Sequence, residues 1–299
     1  MSALKNMPIS FPGLFGDWEL NIDPVAIHIG HGIYWYGIIL AFAMLAGLYL
    51  CMKQAKHYGL TEDNIMDMVL WAVPCCIIGS RIYYVIFNLE LYRNADGTLN
   101  WGRMVAIWDG GLAIYGTVIV AVIVVFFYTR HKKLSFFAMT DLGVLGLILG
   151  QIIGRWGNFM NREVFGEYTD SFLAMRLPIE AVRSRDISEN VAAHIIDGTN
   201  YIQVHPTFLY ESLWNLMILL IMLVYRKHKK FEGEICLLYF GGYGLGRFWI
   251  EGIRTDTLFI PGTTLAVSQV LSLCMVIFAV VTDVVVRIRL EKQPKVEKY

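Results

Sequence analysis

Residues 136–163 read FFAMTDLGVLGLILGQIIGRWGNFMNRE. Positions 136–155 are long and apolar enough for a bilayer-spanning helix, which takes about 20 residues. Where such a helix should leave the membrane stands Gly154-Arg155-Trp156-Gly157-Asn158-Phe159-Met160-Asn161-Arg162-Glu163, with two arginines, two asparagines and a glutamate between two glycines and the loop beyond. A charge at membrane depth costs ~2.5–3.5 kcal/mol on insertion scales, so a cluster this dense marks a working site rather than an ordinary polar helix end. Arginine beside amide donors suits a phosphate, because the guanidinium fork pairs with two phosphate oxygens at once.

Working outward, the chain is 56% hydrophobic, which excludes an ordinary soluble domain and points to an all-α polytopic membrane protein. Seven segments are expected to span, near 33–52, 68–89, 111–129, 136–155, 207–225, 235–253 and 264–286. The first and third carry no charge; the others hold isolated ionisable groups, as helices do when they bury polar positions inside a bundle. Of eleven lysines, Lys53 and Lys56 follow the first span, Lys132 and Lys133 the third, Lys227, Lys229 and Lys230 the fifth, and Lys292, Lys295 and Lys298 the seventh. Only Lys5 is left for the other side, so the N-terminus is expected outside and the C-terminus in the cytoplasm.

Formal net charge is zero, which gives no general affinity for nucleic acid. The five cysteines show neither metal-ligand nor redox spacing, so no metal and no cofactor is expected. Pro8, Pro12 and Pro24 interrupt any apolar run near the start, and no cleavable leader is expected there. Residues 1–32 read as an external arm, 33–286 as the transmembrane domain, and 287–299 as a basic cytoplasmic tail. The connection 160–205 is too long for a bare loop and reads as a small external head.

Adjacent spans run in opposite directions, so depth is counted from alternate ends. Counted that way, Tyr36, Arg81, Tyr115 with Gly116, Arg155 with Asn158, His205 with Tyr210 and Glu211, Arg247 with Glu251, and Ser268 with Gln269 all fall in the outer half of the bilayer. A polar cavity open to the outer leaflet explains the coincidence. Arg247 and Glu251 are four apart on one helix face, with Arg254 three further along the same stripe.

These stretches resemble a known family. Gly154-Arg155 through Glu163, with Gly166 beyond, resembles the signature of the bacterial prolipoprotein diacylglyceryl transferases. Tyr34-Trp35-Tyr36-Gly37 resembles that family's first-span motif, and Trp108-Asp109-Gly110-Gly111-Leu112-Ala113-Ile114-Tyr115-Gly116 its third. His205-Pro206-Thr207-Phe208-Leu209-Tyr210-Glu211 is similar to the fifth, and Gly246-Arg247-Phe248-Trp249-Ile250-Glu251 with Arg254 to the sixth.

The resemblance implies a reaction: the diacylglyceryl group of phosphatidylglycerol moves to the thiol of a lipobox cysteine in a prolipoprotein signal peptide, a thioether forms, and glycerol phosphate leaves. It also implies the bacterial inner membrane, membrane lipids as surroundings, and an active site facing the outer leaflet. Arg155 and Arg247 are then the catalytic cations that stabilise the departing phosphate, with Tyr36 and Tyr115 as catalytic hydroxyls nearby. Asn158, Asn161, Glu163, Gly166, Glu251 and His205 join the arginines in substrate binding, Glu251 as the partner that orients Arg247. Many family members carry histidine at the position of Tyr115. Tyrosine titrates near ~10, so the thiol, with a reference pKa of ~8.5, is better ionised here by the field of the arginines. The competing reading is an anion or lipid transporter or receptor with an outer-leaflet arginine site. A transport path would carry polar groups through both leaflets, and the inner halves of most spans are apolar.

Overall fold

The computed structural model describes residues 7–292 apart from positions 17, 31, 95, 197, 261 and 264. Lys5, Lys295 and Lys298, used above for orientation, lie outside the described residues, as does the tail beyond Lys292.

Among the described residues ten α-helices follow in chain order: α1 (Pro12–Phe15), α2 (Trp35–Gln54), α3 (Glu62–Phe87), α4 (Trp101–Val105), α5 (Ile114–Lys132), α6 (Phe136–Asn161), α7 (Glu189–Ala193), α8 (Thr207–Tyr225), α9 (Glu234–Glu251) and α10 (Val267–Lys292). Six of them, α2, α3, α5, α6, α8 and α10, are long and apolar enough to cross a membrane. The remaining expected span, 235–253, forms α9, which carries Glu234, Arg247 and Glu251 within 18 residues. Large side chains such as Phe42, Leu45, Val118, Leu220, Ile277 and Phe278 are exposed on the long helices, the pattern of faces solvated by lipid rather than water.

Boundaries shift where local chemistry outweighs hydropathy. Helix α3 starts six residues before the expected 68, because Thr61 and Asn64 form a reciprocal cap: the Asn64 N–H donates to Thr61 Oγ1 at 3.2 Å and the Thr61 N–H to Asn64 Oδ1 at 3.1 Å. Glu62 and Asp63 add favourable charge in its first turn. Helix α6 continues past 155 to Asn161, so most of the charged signature is helical and only Arg162 onward is loop.

The described residues fold as two compact units, the first from 7–50 with 144–292 and the second from 51–143. In the second unit α3 packs on α5. A Cβ on Gly116 would fall 2.5 Å from the Gly79 carbonyl oxygen, so only glycine permits that approach. Arg81, counted above among the polar groups of the cavity, is buried here and donates to the carbonyls of Arg103, Met104, Gly110 and Gly111. It ties a loop to a helix.

The first unit holds the expected head, and adds strands to an otherwise helical protein. Strands β1 (Ile9–Ser10), β2 (Glu19–Leu20), β5 (Met175–Pro178) and β6 (Tyr201–Val204) make an antiparallel sheet in the order β2-β1-β5-β6, and β3 (Val25–Ile27) pairs with β4 (Ile33–Tyr34). The arm thus contributes two strands to the head's sheet. Ile9, Phe11, Phe165, Leu177, Ile202 and Phe208 lie in the buried core beneath it, which anchors the segment following α6.

Candidate active site

Helices α6, α8 and α9 bring their charged residues to one place. Glu211, in the first turns of α8, is the meeting point. Its Oε2 lies 2.5 Å from Arg155 Nη2, and its Oε1 accepts a hydrogen bond from Arg247 Nη1 at 2.7 Å. Glu251 Oε2 sits 2.7 Å from Arg247 Nη2 and 3.6 Å from Arg254 Nη1. Arg254 completes the chain with a two-pronged pair to Asp256, Nε to Oδ1 at 2.9 Å and Nη2 to Oδ2 at 2.7 Å. Three guanidinium and three carboxylate groups therefore balance, which is what makes so much charge tolerable in a low-dielectric setting.

Exposure gives this network a direction. The Glu211 side chain is 3% exposed, against 19% for Arg155 and 17% for Arg247. The carboxylate is the most buried member, and the two guanidinium groups are the more accessible ones. Glu211 Oε2 and Glu251 Oε2 are buried beside cations without a well-aligned hydrogen bond. Such incompletely satisfied buried atoms collect at functional sites.

A second hub lies one step along. Glu163 Oε1 accepts from Asn158 Nδ2 at 3.1 Å and from Asn161 Nδ2 at 3.4 Å, and its Oε2 accepts from Arg183 Nη2 at 3.3 Å. Asn158 thus spends its amide on Glu163, one helical turn beyond Arg155. The loop that carries Glu163 is strained: Arg162 and Val164 both have positive φ, 54° and 59°, a region that β-branched valine strongly disfavours. Arg162 itself is turned away from the cluster. It is 2% exposed and donates to the Met7 and Ile22 carbonyls at 2.8 Å each, holding the arm. Burial pulls the pKa of its guanidinium down, opposed by nearby Asp23.

Gly166 is where three segments meet. Its N–H donates to the His205 carbonyl at 3.0 Å, it bridges Arg254, and the next N–H, of Glu167, donates to the Ile253 carbonyl at 2.7 Å. A Cβ on Gly166 would fall 2.7 Å from the Ile253 oxygen. Thr207 clips the same loop through its hydroxyl to the Val164 carbonyl. His205 pairs its Nδ1 with the Tyr210 hydroxyl at 3.1 Å; burial lowers its pKa, with Glu167 pulling the other way. Tyr36, on α2, lays its ring on the α6 backbone at Gly157, where a Cβ would come within 2.8 Å of a ring carbon. Tyr115 belongs to the second unit, on the first turn of α5, half exposed and packed near Tyr83.

The sequence singles out Glu211 among the polar groups of the outer half and Arg254 on the Arg247 stripe but gives neither a role in the site, and it does not single out Asp256. A signal for Glu211 was present: it is the sole acidic residue in α8, Thr207–Tyr225, and a lone acid in an apolar span requires a cation from elsewhere. Nothing in the sequence pointed to Arg183 as a partner of Glu163.

The same residues lie inside a wider similarity. The family model described as prolipoprotein diacylglyceryl transferase matches residues 24–285. The phosphatidylglycerol–prolipoprotein diacylglyceryl transferase of Listeria monocytogenes serotype 4b is 43% identical over 267 residues, 89% of this chain and 90% of that protein. Proteins of the same name from Oceanobacillus iheyensis and Finegoldia magna are each 40% identical, covering 87% and 88% of this chain and 86% and 95% of their own lengths. With matches of this extent running through every helix that builds the arginine cluster, the chain belongs to the prolipoprotein diacylglyceryl transferase family.

Proposed function

We propose that this protein transfers the diacylglyceryl group of phosphatidylglycerol to the thiol of a lipobox cysteine in prolipoprotein signal peptides. The observation that carries the reading is the pair Arg155 and Arg247, drawn from different helices and held on the one carboxylate of Glu211, each more accessible than the carboxylate itself. Each guanidinium has five N–H donors, enough to hold its carboxylate behind and a phosphodiester in front. As the thiolate forms its bond to the glycerol carbon, the carbon–oxygen bond to phosphate breaks and charge gathers on the departing phosphate. Fixed cations stabilise that charge without reorganising. The thiol proton passes to the departing phosphate monoester, so charge and atoms balance. Glu211 and Glu251 position the arginines, and Glu163 with Asn158, Asn161 and Gly166 shapes the loop beside them. Tyr36 lines the same unit, and Tyr115 positions substrate by its hydroxyl. The thiol ionises in the field of the arginines.

The site faces the outer leaflet of the bacterial inner membrane, and seven helices cross, with the N-terminus outside. Chain parity supports the count. The bridge from Gly166 to Arg254 and the bond from Glu167 to Ile253 hold the residues after α9 against the head. Helices α8 and α9 lie between, so if α8 crosses the membrane α9 must cross back.

The test is reconstitution of the purified protein with phosphatidylglycerol vesicles and a lipobox peptide, read by mass spectrometry. A diacylglyceryl mass is expected on the cysteine peptide and not on its serine counterpart. No adduct from folded, lipid-bound protein would return the site to a binding or transport role.

A further inference from the structure

Beside the arginine network, outside the helices, lies a polar cavity of about 380 Å³ whose wall includes Glu163, Arg183, Arg185, Thr255, Asp256 and Thr257. Two of its residues belong to the networks already described: Asp256 clasps Arg254, which reaches Glu251, and Glu163 takes the amide of Asn158, one turn beyond Arg155. The cavity is thus the next compartment past the arginines on the side away from the helices.

Its charges are internally paired. Glu163 faces Arg183 at 3.3 Å, Asp186 faces Arg185 at 3.5 Å, and Asp256 faces Arg254 at 2.7 Å. No carboxylate of these three is left alone to attract an ammonium group. What the wall offers is an alternation of guanidinium donors, carboxylate acceptors and the hydroxyls of Thr255 and Thr257. A neutral group that both donates and accepts fits that surface, and a vicinal diol does both.

A phosphodiester donor is an ordered object: acyl chains, glycerol carbon, phosphate, headgroup. With the acyl chains along the spans and the phosphate on Arg155 and Arg247, the headgroup must point past the helix ends. Resting on the transferase reading above, we propose that this cavity seats the terminal glycerol of the donor lipid, selects for its diol, and then holds the glycerol phosphate released by the reaction. Arg185, 76% exposed and paired only weakly with Asp186, is the wall residue freest to turn onto the ligand. Thr255 supplies a hydroxyl to the same wall and donates a long, 3.4 Å bond to the Phe165 carbonyl.

The experiment compares two donors of equal charge, phosphatidylglycerol and phosphatidylethanol, which lacks both headgroup hydroxyls, on the full-length protein in vesicles. Wild type is expected to favour phosphatidylglycerol in kcat/KM by about tenfold or more, because an analogue without the hydroxyls leaves the polar wall of the site unpaired. Arg185→Ala should raise KM for phosphatidylglycerol about tenfold at little change in kcat, leave phosphatidylethanol unaffected, and weaken inhibition by soluble glycerol 1-phosphate. Thr255→Val, close to isosteric, should move the same quantities in the same direction. Equal losses with both donors, or none with either, would overturn the assignment of the cavity. Failure of wild type to transfer from any lipid would instead strike the transferase reading itself.

Discussion

At Glu211 one buried carboxylate serves two arginines, and the fixed angle between them is the product of that sharing. A guanidinium presents a planar fork, whereas an ammonium is a point charge. Arg155→Lys is therefore expected to keep the ion pair and the fold yet lower kcat about 100-fold or more, the usual loss when one fixed donor to a developing oxyanion is removed. Transfer at the wild-type rate would remove Arg155 from the chemistry. Arg155→Ala is a harsher change, because it strands part of the Glu211 charge, and a broken buried pair costs about 3–5 kcal/mol. Asp256 makes a prediction in pH. Burial raises its pKa, but the two hydrogen bonds and the charge of Arg254, with Arg247 behind, outweigh burial and hold it below the ordinary carboxylate range. A depressed folded-state pKa means the stabilisation is complete above the unfolded value, ~3.9, and is lost as pH falls through the lower folded one. The melting temperature of Asp256→Asn should lie below wild type by a constant gap from pH 7 to pH 5, and the gap should close in stronger acid. A gap that persists at low pH would mean that the aspartate contributes by shape rather than by charge.

Among the elements, the end of α6 and the loop after it do the most positioning. The helix delivers Arg155 and Asn158 on successive turns, and the loop then doubles back through two positive φ angles to bring Glu163 over Asn158. Gly166 closes the arrangement against the segments at 205 and 253. Gly166→Ala has no room: the methyl would press on a backbone oxygen, and overpacking of this kind costs about 1–3 kcal/mol. We expect a lower melting temperature and a transfer rate reduced beyond the loss of folded protein, measured in the same detergent preparation. An unchanged melting temperature would show that the loop moves aside at no cost. The long helices were legible because hydropathy sums over some 20 residues, and errors at single positions average out. The sheet was not, since its strands run two to four residues and leave no alternation to detect. The gathering of Arg155, Arg247 and Glu251 near one depth was also legible. Their sharing of Glu211 was not, because depth follows from counting along a helix while the direction a side chain faces depends on how the helices pack.

For the molecule as a whole, the lysine pattern and the contacts made by Gly166 bear on the same topology from independent sides. One uses charge outside the membrane, the other the parity of crossings. Cysteines placed at Ser171, Lys227 and Thr263 in a background without native cysteine test both. Ser171→Cys and Thr263→Cys should react with an impermeant maleimide added to intact spheroplasts, and Lys227→Cys only after permeabilisation. If Lys227→Cys labels from outside together with the others, α9 does not cross and the seven-span topology fails. Helix α9 is not among the helices apolar enough to cross by composition alone, since the charges that build the site are the ones that lower its hydropathy.

Strand β1 carries a consequence for how the protein is made. Its partner in the sheet pairs Ser10 with Arg176, so the synthesis of the two is separated by more than half of the chain. With ribosomes adding roughly 5–20 residues per second, the arm waits on the order of ten seconds or more before β5 emerges to meet it. Helices α2, α3, α5 and α6 lie between, so the arm cannot lock until all four have been placed. Closure of this small sheet is thus a late event in the making of the protein, one that cannot precede the synthesis of the four long helices between its strands.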